Sequence, residues 1–115
     1  MLNYDLPWPP SANTHWRSVT IGGRARVLLS AAGREYRIAV GKIVEPHLLG
    51  GRLRVSIWLY PPNKRKIDID NRIKPLFDSL TVAEVWADDE IVDELHVYRR
   101  EVIKGGRALV EISDA

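Results

Sequence analysis

Between positions 68 and 89 the chain carries Asp68, Asp70, Lys74, Asp78, Asp88 and Asp89. In an extended segment, Asp68 and Asp70 point to the same side with their Cα atoms about 7 Å apart. Two carboxylates at that spacing can share a hard cation such as Mg²⁺. If Asp70 opens a helix, Lys74 lies one turn further along the same flank and Asp78 one turn beyond that. Asp88 and Asp89 follow Trp86 at the helix exit, from which the chain can turn back. Bringing three or four carboxylates together costs energy, and a divalent cation reverses that cost. A metal held this way activates water and polarises a phosphodiester, while a lysine offsets charge developing on the phosphate. The same residues also read as an N-cap aspartate, an i,i+4 ion pair between Asp70 and Lys74, and a turn at Ala87-Asp88-Asp89. Spacing leaves both readings open.

No other constellation competes with this one. His15, His47 and His96 are scattered without metal-ligand spacing and read as surface or strand histidines. No serine sits in a G-x-S-x-G turn, and Gly41-Lys42-Ile43 lacks the preceding glycine of a phosphate loop. Trp8 and Trp16 can stack on bases, but their setting favours packing of the N-terminal loop against the body. Glu84 and Glu90 read as solvated.

Composition bounds what these residues can belong to. At 115 residues and 45% hydrophobic, the chain is one domain, 1–115, with room for a modest core. It has no cysteine, which excludes disulfide scaffolds, thiol nucleophiles and Cys-based zinc sites. No apolar run approaches the roughly 20 residues that cross a bilayer, and the N-terminus lacks a signal-peptide pattern. A soluble cytoplasmic domain without membrane partners is expected. A net charge of +2 says little, but its distribution says more. Arg52, Arg54, Lys64, Arg65, Lys66, Arg72 and Lys74 face only Asp68 and Asp70 in the same stretch. Arg17, Arg24 and Arg26 form a second group, and Arg99 and Arg100 a third. Clustered cations suit a phosphate backbone, and a solvated strand face gives the same count.

The elements that must position the acids follow from periodicity. Leu2, Tyr4 and Leu6 alternate as a half-buried strand that Pro7, Pro9 and Pro10 end. Ser11 to Leu29 is a long loop or a loose hairpin around Gly22-Gly23. Ser30 is an N-cap for a helix carrying Ala32, Tyr36, Ala39, Val40 and Ile43 on one face, closed by Pro46. Leu53, Val55, Ile57 and Leu59 give the clearest strand, stopped by Pro61-Pro62. Ile69, Ile73, Leu76, Phe77 and Leu80 form the stripe of a second helix, with Pro75 tolerated in its opening turns. Ile91 to Ile112, divided by Gly105-Gly106, predicts a terminal antiparallel hairpin. The expected fold is α+β: a single compact domain with a mixed sheet, element order β-α-β-α-β-β and two helices.

Two regions of the chain carry a family resemblance. Asp68-Ile69-Asp70-Asn71-Arg72-Ile73-Lys74, Phe77-Asp78-Ser79-Leu80 and Trp86-Ala87-Asp88-Asp89 resemble the active-site region of the RusA family of Holliday-junction resolvases. Leu6-Pro7-Trp8-Pro9-Pro10-Ser11 with Asn13 resembles that family's opening, and Lys104-Gly105-Gly106-Arg107 falls in matching order. The resemblance implies a homodimer that binds four-way junction DNA and cuts two strands of like polarity with Mg²⁺, in recombination and repair. By position, the family's essential acids fall on Asp68, Asp70 and Asp89, and its essential lysine on Lys74. Asp88 is the adjacent acid, a helper or a bystander in metal binding; Asn71 and Asp78 take orienting or helix-building roles. Arg17, Arg26, Lys64, Arg65, Lys66 and Arg72 are the expected DNA contacts. Two departures stand out: Ile67 replaces a basic residue before Asp68, and Pro75 adjoins Lys74. Two alternatives use the same residues, an inactive junction-binding protein and a metal nuclease for other branched nucleic acids.

Overall fold

The computed structural model describes all 115 residues. In chain order the elements are β1 (Leu2–Leu6), α1 (Ala12–His15), β2 (Trp16–Ile21), β3 (Arg24–Leu29), α2 (Ala31–Ile43), β4 (Leu53–Tyr60), α3 (Ile73–Val82), β5 (Val92–Arg99) and β6 (Arg107–Asp114). Single 3-10 turns at Asp70–Arg72 and Asp89–Ile91 introduce α3 and β5. The fold is a single compact α+β domain, as the periodicity predicted.

Four strands form one sheet in the order β1-β6-β4-β5. β4 is parallel to β5 and antiparallel to β6, and β6 is antiparallel to β1. The strict alternation of β4 buries Leu53, Val55, Ile57 and Leu59 on one face, which explains its central place. Against that face pack Tyr36, Val40 and Val44 from α2 and its exit, and Leu76, Phe77 and Leu80 from α3. The opposite face carries Trp58 stacked on Tyr98, with ring centroids 5.6 Å apart.

Three sequence-based expectations need correction. The predicted hairpin of the last two strands does not form, because β4 lies between β5 and β6. The crossover through α3 sets β5 parallel to β4 at the sheet edge, and residues 100–106 then carry the chain past β4 to its other side. Burial explains the choice. Ala108, Val110 and Ile112 of β6 are at most 2% exposed and need neighbours on both sides, whereas most of β5 is exposed. The count of two helices omitted α1, a single turn capped by Ser11, whose hydroxyl accepts from the Thr14 amide at 3.2 Å. The segment left open between loop and hairpin is a hairpin, β2 paired with β3 as a separate two-stranded sheet, which lengthens the expected order of elements. Gly22 and Gly23 at its turn have φ of 58° and 78°, the paired positive φ that a type I′ turn demands.

The helices begin where expected. The Ser30 hydroxyl accepts from the Gly33 amide at 3.0 Å and caps α2. Pro75 is the third residue of α3, where no intrahelical amide bond is lost. α3 ends in a Schellman motif. The Val85 amide donates to Leu80 O at 3.1 Å and the Glu84 amide to Thr81 O at 3.0 Å. Glu84 takes the left-handed position, with φ 63°.

Candidate active site

The end of α3 decides where the second acidic pair falls. After the Schellman turn, Trp86 is fully buried, edge-on to Phe77 at 5.5 Å, and its indole N–H donates to Thr81 Oγ1 at 2.7 Å. This anchor reverses the chain so that Asp88 and Asp89 run back alongside α3. Lys74 in the first turn of α3 then meets Asp89 across the return, with Nζ 3.3 Å from Oδ2. Asp88 Oδ1 accepts from the Glu90 amide at 3.1 Å and caps the turn in which Asp89 sits.

Lys74, Asp78, Thr81, Ala87, Asp88 and Asp89 line a cleft of about 220 Å³. A larger concavity of about 530 Å³ lies on the open face of the sheet, by Trp58 and Tyr60, and holds none of the acidic motif. The smaller cleft is the chemical candidate, because charge rather than volume defines a phosphoryl site. Asp70 opens the 3-10 turn that leads into α3, one helical turn before Lys74. Asp68 lies two residues earlier, before the turn, and both are exposed. Neither lines the cleft. Lys74 pairs with Asp89 rather than with Asp70. No three acidic or histidine side chains gather closely enough to enclose a metal ion.

Asp78 faces the cleft and is held from behind. Arg37 of α2 grips both its oxygens, Nε to Oδ2 at 2.8 Å and Nη2 to Oδ1 at 2.9 Å. His15 Nε2 reaches Oδ2 at 2.8 Å. Burial pushes the Asp78 carboxyl up, but the hydrogen bonds from Arg37 and His15 outweigh it and leave the group below its ordinary range. His15 is fully buried, which corrects its reading as a surface or strand histidine; His47 and His96 are exposed as expected. The local pattern held no sign of this. His15 ends a one-turn helix, and only the packing of α1 between α2 and α3 encloses it. Arg37 was missed for a similar reason, since its partner lies 41 residues away.

The basic residues fall into two exposed places. Lys64, Arg65 and Lys66 are exposed on the segment between β4 and α3. Asn63 Oδ1 accepts the Arg65 amide at 3.0 Å, and Arg99 donates to Ile67 O at 2.5 Å, so the segment is tied at both ends. Arg17 and Arg26 are exposed on β2 and β3. Arg72 differs from these. It donates to Pro9 O at 3.0 Å and its guanidinium lies 5.3 Å from the centre of the Trp8 ring, so it ties the N-terminal prolines to the start of α3. Burial pulls its pKa down. Trp8 packs the N-terminal loop on the body, as expected, lying against Gly106, where a Cβ would meet Trp8 Cβ at 2.8 Å.

Comparisons with known proteins agree with one another. A family model described as Endodeoxyribonuclease RusA matches residues 7–113. The crossover junction endodeoxyribonuclease of Enterobacteria phage 82 is 37% identical over 113 residues, spanning 95% of this chain and 91% of the relative. The proteins of the same name from Escherichia coli strain K12 and Shigella sonnei show the same identity over the same span.

Proposed function

This chain belongs to the RusA family of endodeoxyribonucleases, and on that basis we propose that it resolves Holliday junctions in DNA recombination and repair by symmetric paired nicks, as a homodimer that requires Mg²⁺. Its enzyme class is that of its relatives, an endonuclease that hydrolyses DNA. The observation that carries the reading is the meeting of Lys74 and Asp89. The motif's lysine and its last acid come from opposite ends of the α3 excursion and share one cleft.

The donor set fits a hard cation. Asp68, Asp70 and Asp89 offer only carboxylate oxygens, and a cationic group, the Lys74 ammonium, already lies against Asp89. Mg²⁺ keeps several waters and takes few protein carboxylates, so a three-sided protein cage is not required. Asp89 would hold the ion from the cleft, and Asp68 and Asp70, which the motif supplies but which lie outside the cleft here, would complete its carboxylate set, with Asp88 adjacent and committed to its cap. When bound, the ion supplies an activated water and a polarised phosphodiester. Hydrolysis there would break the bond between phosphorus and the 3′ oxygen, so the expected products carry 5′-phosphate and 3′-hydroxyl ends. Lys74, with a side chain 67% exposed, is free to follow the charge that develops on the phosphate oxygens. Lys64, Arg65, Lys66, Arg17 and Arg26 grip phosphates, which fixes position and makes binding salt-dependent. Arg72 serves the same surface by holding the turn that carries Asp70. A two-fold protein presents two such sites to a nearly two-fold junction. No helix of the chain is long and apolar enough to cross a membrane, and we assign the protein to the cytoplasm with the DNA.

A gel assay on a mobile four-way junction tests this reading. Paired symmetric nicks with Mg²⁺ and none with EDTA are expected. Tight binding with no nicking in either condition would favour an inactive junction binder, and faster cutting of flaps or forks would favour a broader nuclease.

A further inference from the structure

The β2–β3 hairpin pairs with no other strand of the fold. It shares no edge with the main sheet, and residues 20–28 are exposed throughout. A two-stranded hairpin gains little stability alone in water. Its root is nonetheless fixed. The Ser30 amide donates to His15 O at 2.9 Å, and Arg34 Nη1 donates to Leu29 O at 3.0 Å. His15, the residue before β2, bonds Asp78 in the wall of the cleft. Such an arm is rooted beside the active-site helix, and its strands are about 20 Å long.

The register gives the arm two unlike faces. Arg17 pairs with Leu28, Val19 with Arg26, and Ile21 with Arg24. Directly opposed residues share a face, so all three arginines of the hairpin lie on one side, each beside an aliphatic. The other side carries Trp16, Ser18, Thr20, Ala25, Val27 and Leu29 and no charge. No acidic residue occurs from Trp16 to Leu29. The contrast with the other arginines is sharp. Arg37, Arg52, Arg54 and Arg107 bind carboxylates, and Arg34, Arg72, Arg99 and Arg100 bind carbonyls. The three on the hairpin make no such bond, and among the remaining nine only Arg65, on the exposed segment before α3, is likewise without one. Successive positions on one face are about 7 Å apart along the strand, close to the axial rise of two nucleotides in a duplex strand.

We propose that the β2–β3 hairpin is a DNA-gripping arm whose Arg17, Arg24 and Arg26 face lies along the phosphates of one duplex arm of the substrate, with Val19 and Ile21 against the sugars between them. The proposal rests on the junction-nuclease reading and deepens it by adding Arg24 and the orientation of the whole ribbon. Charge complementarity selects the partner, because a two-stranded ribbon with three free arginines and no acid matches a polyanion.

The test is a salt titration of binding to a fluorescent four-way junction in EDTA, where cutting does not intervene. Three proteins are compared: the native chain, Arg17→Gln/Arg24→Gln/Arg26→Gln, and a control with Lys42→Gln/Arg52→Gln/Arg54→Gln that removes the same charge elsewhere. The arm variant is expected to lose on the order of 10²-fold in affinity near 0.1 M salt and to flatten the log–log slope by about 2.7, with the control near native. An unchanged slope in the arm variant, or an equal loss in both, overturns the proposal while leaving the nuclease reading intact. Loss of dimer mass with the native slope kept would make the hairpin a subunit contact and also overturn it. A native chain that fails to bind junctions at all overturns both readings together.

Discussion

His15 Nε2 lies 2.8 Å from Asp78 Oδ2, joining the one-turn helix before the hairpin to the wall of the cleft across 63 residues of sequence. With Arg37 on the same carboxylate, the contact ties α1, α2 and α3 at one point. That point sets where the hairpin leaves the domain and how α3 faces the returning Asp89. It leads to a first prediction.

Asp78→Asn removes the charge that Arg37 and His15 surround. Loss of one partner from a buried pair costs about 3–5 kcal/mol. The Arg37 side chain is 30% exposed, so about 2 kcal/mol is expected in urea unfolding. The pH dependence has a definite sign. The folded carboxyl titrates below its unfolded value, so its contribution is complete at neutral pH and is lost as pH falls below about 4 through the folded value. Native and Asp78→Asn stabilities should therefore converge in acid. A gap that stays constant down to pH 2 would contradict the assignment.

Gly33→Ala should act on the same junction by crowding it. A Cβ there would meet His15 O at 2.5 Å and Leu29 Cδ1 at 2.7 Å, and backbone cannot yield cheaply. Overpacking of this kind costs about 1–3 kcal/mol. Amide exchange should speed up in β2 and β3 before it does in β4.

Glu84→Gly should stabilise. Glu84 holds the left-handed position of the Schellman motif at φ 63°, is exposed, and makes no side-chain hydrogen bond. Glycine adopts that conformation without the Cβ conflict, a gain of about 1 kcal/mol. A lower thermal midpoint than the native chain would show that the side chain contributes something its exposure does not reveal.

Lys74→Met should separate chemistry from binding. The variant loses the cation beside Asp89 but keeps the basic segment at Lys64, Arg65 and Lys66. Cleavage at saturating junction should fall by about 10²–10³-fold, the scale seen when one transition-state donor is removed. Lys66→Ala should do the converse, weakening binding and reducing the salt slope by about 0.9.

Much of this fold was legible in the sequence because the signals are local. Ser30 as a cap, the alternation of Leu53 to Leu59 and the stripe from Ile73 to Leu80 each lie within one element. What failed was non-local. Whether Val92–Arg99 pairs with Arg107–Asp114 or with β4 depends on which strand has two neighbours, and a 2-residue period does not encode that. His15 and Arg37 look ordinary until α1, α2 and α3 close on Asp78. The acidic motif was legible as a set of residues. Its geometry was not: spacing suggested Asp70 for Lys74, whereas the burial of Trp86 returns Asp89 to it.

The central claim, that these carboxylates perform metal-dependent cleavage of junction DNA, is tested most directly with Asp70→Asn. Binding and cutting of one labelled four-way junction are measured in the same samples with Mg²⁺. The account predicts that cutting is abolished while binding holds or tightens, since a negative charge near phosphate has been removed. Mg²⁺-dependent cutting at the native rate in that variant would contradict it.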